Sequence, residues 1–184
     1  EAATSFDSTT NLGIPDIAGS PANVMAFGAP GPGEGYIASI GAPNGDPSAT
    51  EKNVYTMVYD ILWPAAVDAN WRTFAQVDST LNNNDAAFFV NTSGAVGVGN
   101  TGYHGNLPGG IWHRVVISVD LTAASDPVRY YIDGVRIGSG GTPGVDGRFG
   151  LPGAINFFAA NDGANRPGYI ARLPAPYEAI LDPQ

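Results

Sequence analysis

The stretch RYYIDGVRIG, Arg129 to Gly138, constrains this chain more than any other. An Asp-Gly pair between two alternating aromatic and β-branched runs fits a two-residue hairpin turn. Such a turn needs positive φ, which glycine adopts at little steric cost. It also sets a register, in which Ile132 faces Val135, Tyr130 faces Ile137, and Tyr131 faces Arg136. The strand just before it, WHRVVISVD, alternates so that His113 falls with Val115, Ile117 and Val119, away from Trp112 and Arg114. His113 therefore reads as a structural histidine, and Asp133 as a turn residue.

The same punctuation runs through the chain. The 25 glycines and 15 prolines are spread along all 184 residues and separate short runs rich in Val, Ile, Tyr, Phe and Thr, which is the rhythm of an all-β protein. Residues 1–50 are the most loop-rich part, with strands expected at ANVMAF and YIASI. In KNVYTMVYDILW one face reads Tyr55, Met57, Tyr59, Ile61 and Trp63, a core face. The other carries Val54, Thr56, Val58, Asp60 and Leu62, and is either covered or part of a binding face. WRTFAQVD splits into Trp71, Thr73, Ala75 and Val77 on one side and Arg72, Phe74, Gln76 and Asp78 on the other. AAFFVN, GAVGVG, INFFAA and GYIARL supply further strands. No segment carries an i, i+3, i+4, i+7 pattern long enough for a stable helix, and PYEAIL suits at most a turn or so.

The length suits a single domain, 1–184, with a core that needs no staple. A net charge of -9 with Lys52 as the lone lysine argues against nucleic acid or an anionic membrane as partner, since both require clustered cations. The absence of cysteine excludes disulfides and thiol chemistry. No apolar run approaches the roughly 20 residues that span a bilayer. The start EAATSFDSTT resembles what remains after a signal peptide is cut, so the expected setting is an exported or cell-surface bacterial protein.

The order of VMAF, YTMVYDILWPA, WRTFAQVD, DAAFFVNTSGAVGVG, GIWHRVVISVDL, RYYIDGVRIGS, INFFAAND and GYIARL resembles the laminin-G-like branch of the concanavalin A-like sandwiches. The resemblance covers Val24 to Leu173 and is most specific in Trp-His-Arg-Val followed by Tyr-Ile-Asp-Gly. It implies an all-β, two-sheet antiparallel jelly-roll β-sandwich. It further implies a non-catalytic module that binds carbohydrate or protein, often with calcium at its rim. The chain departs from the family at PAPYEAILDPQ, which is proline-rich where an acidic turn and a short helix are usual.

Several chemistries can be weighed against the residues. The glucanase spacing Glu-x-Asp-x-x-Glu is absent, so a two-carboxylate hydrolase would have to use aspartates. A polysaccharide lyase needs Arg, Gln, His and Tyr on one sheet face; Arg72 and Gln76 on one strand, with Tyr103 and His104 in GNTGYHGN, are the candidate ligand-binding residues. Zinc finds only two distant histidines. Calcium takes hard oxygen ligands from loops, and two loops are rich in them: Asp78, Asn82, Asn83, Asn84 and Asp85, and Asn161, Asp162 and Asn165. In calcium-binding members of the family, an aspartate just before the strand resembling AAFFV is a ligand. This points to Asp85, with Asp162 as second ligand and Asp146 as rival. Asp, Asn and Gly also make turns without any ion. Trp71, Tyr103 and Tyr131 are the aromatic platforms on which a sugar could stack.

The expectation is thus a carbohydrate-binding recognition module, calcium-dependent, with a polysaccharide or glycan as partner. Two alternatives stay open: a polysaccharide lyase or glycoside hydrolase using the concave face, and an accessory domain for protein contact or spacing.

Overall fold

A computed structural model describes residues 3–78 and 85–172. Among the described residues there are thirteen strands: β1 (Thr4–Ser8), β2 (Asn23–Phe27), β3 (Tyr36–Ser39), β4 (Val54–Leu62), β5 (Arg72–Gln76), β6 (Ala87–Val90), β7 (Val96–Val98), β8 (Gly102–His104), β9 (His113–Asp120), β10 (Val128–Ile132), β11 (Val135–Gly140), β12 (Ala154–Phe157) and β13 (Gly168–Arg172). Among the described residues the only helical element is one 3-10 turn, Ala65–Val67. The stretch PYEAIL lies outside the described residues.

Seven strands form one sheet in the order β1-β2-β13-β4-β9-β10-β11, and six form the other in the order β3-β12-β5-β6-β7-β8. Every strand pairing is antiparallel. Both sheets send side chains into one apolar core, so the fold is a two-sheet antiparallel β-sandwich. The face Tyr55, Met57, Tyr59, Ile61 and Trp63 of β4 is buried there, as its alternation requires. Across the core, Phe74 of β5 meets the rings of Tyr59 and Trp63 at 4.8 and 5.0 Å. Burying each such ring contributes roughly 1.5–3 kcal/mol. Tyr130 is satisfied within the core by Thr101 Oγ1 at 2.8 Å, and Tyr55 by donating to Phe149 O at 2.7 Å.

The hairpin of β10 and β11 turns through Asp133 and Gly134, at φ of 51° and 82°. Two positive φ values in succession give the turn whose twist matches that of the flanking strands. Asp133 has a second task. Its Oδ1 accepts from the Arg114 amide at 2.8 Å and its Oδ2 lies 2.7 Å from His113 Nδ1, which clamps the turn to the start of β9. His113 pairs with Ile61, on the inward side that alternation assigned to it.

The register of this hairpin corrects one expectation. Ile132 pairs with Val135 and Tyr131 with Arg136, but Tyr130 pairs with Gly138, not Ile137. A bulge inserts Ile137 as an extra residue, where it packs against the core. Gly138 then lies against the His104 ring, where a Cβ would come within 2.2 Å of it. Strand β1 is also unforeseen in the sequence. TSFDS has a single apolar residue, Phe6, and that is 74% exposed, so no burial pattern marks the strand. It is held by pairing with β2 and by a hydrogen bond between Thr4 and Tyr36.

Candidate functional site

The outer face of the six-stranded sheet is read most directly from its cross-strand pairs, because paired residues share a face. One row runs Arg72, Val90, Val96, His104 and the next runs Thr73, Phe89, Gly97, Tyr103. Val90 and Val96 are core residues, so the first row points inward. The second points outward. Gly97 contributes no side chain between Phe89 and Tyr103, and a Cβ there would collide with Gly102 O at 1.9 Å.

Strand β5 does not keep one parity. Thr73 pairs with Phe89 and Ala75 with Phe88, which leaves Phe74 as the extra residue of a bulge. Beyond it Gln76 pairs with Ala87 and faces outward, although Arg72 faces inward. Arg72 and Gln76 therefore do not share a face, contrary to the expectation from alternation. The Arg72 guanidinium is fully buried, 5.3 Å from the centroid of the Trp63 ring. It donates to Asp68 at 3.2 Å and to Leu107 O at 3.1 Å. Burial lowers its pKa and Asp68 opposes that shift. His104 is likewise turned away from Tyr103, with Nε2 2.9 Å from Thr101 O and its ring 5.8 Å from that of Tyr130. Tyr131, a candidate platform, is buried in the other sheet.

What the outer face does gather is a pocket of about 440 Å³. Gln76, Asp85, Tyr103 and Asp162 all line it, together with Trp71, Phe89, Asn100, Arg148 and Asn161. Trp71 is 40% exposed and meets Tyr103 edge to face at 5.6 Å and Phe89 at 6.3 Å. Gln76 Oε1 accepts from the Asn161 amide at 2.9 Å, which ties the loop after β12 to the sheet. Partial burial raises the Tyr103 pKa, with Arg148 lowering it and Asp162 raising it, so the phenol is a neutral donor at ordinary pH.

A second depression of about 400 Å³ adjoins the first and is lined by Glu51, Asp78, Asp85, Asp146, Arg148 and Pro152, among others. Asp146 is fully engaged. It accepts from Asn53 Nδ2 at 2.9 Å, from the amide and hydroxyl of Thr50 at 2.8 Å each, and from the Glu51 amide at 3.0 Å. These bonds hold its carboxyl down at about 2. Burial, followed by the neighbouring Asp146, raises the pKa of Glu51.

The two expected calcium ligands face the same pocket. Asp85 Oδ2 accepts from the Asp78 amide at 2.9 Å and Asp162 Oδ1 from the Ala164 amide at 3.0 Å. The second oxygen of each makes no hydrogen bond among the described residues. Carboxylate, amide and carbonyl oxygens are the donors calcium takes, six to eight at a time. Among the described residues no group of three or more His, Cys, Asp or Glu could hold an ion, so amides such as Asn100 and Asn161, or water, would have to complete a shell around Asp85 and Asp162. Asn82, Asn83 and Asn84 lie outside the described residues. Asn165 is buried and structural: Oδ1 accepts from Ala160 and Nδ2 donates to Pro30 O.

Among the pocket residues that sequence reasoning missed are Arg148, Phe89 and Asn100. Phe89 had a signal in the alternation of AAFFV. Arg148 had none, because it reaches the pocket from the loop between β11 and β12.

Neither a protein-family model nor a curated protein matches the chain.

Proposed function

We propose that this chain is a non-catalytic carbohydrate-recognition module whose site is the pocket on the outer face of the six-stranded sheet. The observation that carries the reading is the exposed Trp71, set edge to face against Tyr103 and bordered by Gln76, Asp85, Asn161, Asp162 and Arg148. Ring faces pack on the apolar faces of sugars, and a border of amides, carboxylates and a guanidinium offers donors and acceptors to hydroxyls. Calcium held at Asp85 and Asp162 belongs to the same proposal, as do a polysaccharide partner and an exported or surface setting. The laminin-G-like, jelly-roll relationship remains the family reading that supports it.

The lyase alternative is less well supported, because Arg72 and His104 point inward and, among the described residues, leave Arg148 as the one cation lining the pocket. A hydrolase would have to use Asp85 and Asp162. A glycan array run with and without millimolar calcium tests the reading. Binding should occur, without release of reducing ends or of unsaturated products. Trp71→Ala should weaken it by about thirtyfold, the loss of a hot-spot aromatic, with melting temperature unchanged. Calcium should raise the melting temperature of the wild type over that in chelator, and not that of Asp85→Ala. Failure to bind any glycan in either condition sinks the proposal, and equal calcium responses in the two proteins sink the metal site.

A further inference from the structure

The pocket on the outer face and the second depression beside it meet. The same two side chains, Asp85 and Arg148, line both. Each depression alone has the volume of a small-molecule site, so a single sugar stacked on Trp71 would leave the second one empty. Arg148 is suited to the junction. Its guanidinium lies 5.6 Å from the centroid of the Phe149 ring, which holds it in place. Its Nε is buried without a hydrogen-bond partner, and among the described residues no carboxylate pairs with it. Arg148 lines both depressions while making no ion pair among the described residues, so its guanidinium can donate to a ligand that passes between them.

Charge narrows the ligand further. Even with Asp85 engaged by calcium, the second depression sets Glu51, Asp78 and Asp146 against Arg148 as its one cation among the described residues, on a chain of net charge -9. A polyanion entering there meets like charge in a partly desolvated setting, where repulsion is less screened than in water.

We infer that the site binds an internal stretch of a polysaccharide, two or more sugar residues long and neutral or amine-bearing rather than acidic, with Asp85 and Arg148 at the junction of its two subsites. The inference rests on the carbohydrate reading above and adds chain length and charge to it.

Calorimetry with glucose, glucosamine and galacturonate oligomers of one to six units, chosen alongside the neutral, amino and uronate series of a glycan array, tests it. The longest neutral or amino oligomer that binds should do so about tenfold more tightly than its disaccharide. Pro152→Trp, which fills the second depression from an exposed position, should remove that gain and leave disaccharide binding intact. Glu51→Gln, a change of one atom, provides a second variant and should narrow the gap between neutral and uronate hexamers. Monosaccharide or disaccharide binding as tight as hexamer binding, a preference for uronates, or hexamer binding unchanged in a folded Pro152→Trp would each overturn the inference while leaving the carbohydrate reading in place. No binding across the whole array would overturn both.

Discussion

The two outer faces of the sandwich are built from similar residues and end in opposite states. On the seven-stranded sheet, side chains satisfy one another across strands. Val58, Val116 and Tyr131 form a small buried cluster, Thr56 bonds Ser118, and Asp60 takes two hydrogen bonds from Arg114 at 2.6 and 2.8 Å. On the six-stranded sheet the equivalent row is interrupted by Gly97, and the rings beside it are left standing around a pocket. A face closes when neighbouring side chains fill and pair with each other. It opens where a missing side chain leaves aromatic and polar groups with capacity to spare.

The strongest way to break this contrast is Tyr131→Ala. On the closed face it should cost about 3–5 kcal/mol, as for other buried aromatics, read as a lower denaturation midpoint, and it should leave glycan binding as it was. Trp71→Ala on the open face should do the reverse, with stability changed by less than about 0.5 kcal/mol. Equal stability losses for the two would show that the outer faces do not differ in kind.

Most of the closed architecture was legible in the sequence, and the open site was legible only in part. Period-two alternation gave β4 and β9 their core faces, and the Asp-Gly pair gave the hairpin its turn, because both signals are local. The two errors of register, at Phe74 in β5 and Ile137 in β11, share one cause. A bulge inserts a residue without a strong composition mark, and every side chain beyond it changes face. That single residue in β5 separates Arg72 from Gln76, and with them the lyase-like arrangement from the pocket. Tyr103 and His104 are neighbours on one strand, so strand geometry sends them to opposite faces and only Tyr103 lines the pocket. Arg148 is set by a loop that returns from the other sheet, and no local pattern announces such a contact.

Smaller effects sharpen the contrast at its edges. Beside the open face, Asp146 has its carboxyl lowered from 3.8 to about 2, chiefly by Asn53 and then by Thr50. A folded value below the unfolded one stabilises the protein above the unfolded value, and the contribution is lost as pH falls through the folded one. The stability gap between wild type and Asp146→Asn should therefore be steady near neutrality and shrink as pH drops from 3.8 toward about 2. A gap that stays flat across that window would show that the hydrogen bonds, and not the charge, do the work.

The smallest effect belongs to the ion pair on the closed face. Asp60 raises the pKa of Arg114 through its hydrogen bonds and charge, yet the Arg114 side chain is 58% exposed. Solvent screening should hold the pair to about 0.2–1 kcal/mol. Asp60→Asn should lower the denaturation midpoint slightly in dilute buffer, and the difference should fade near 1 M salt, where the screening length is about 3 Å. A loss that persists undiminished in salt would mean that Asp60 closes this face by shape and hydrogen bonding, as Tyr131 does, and that charge adds little to it.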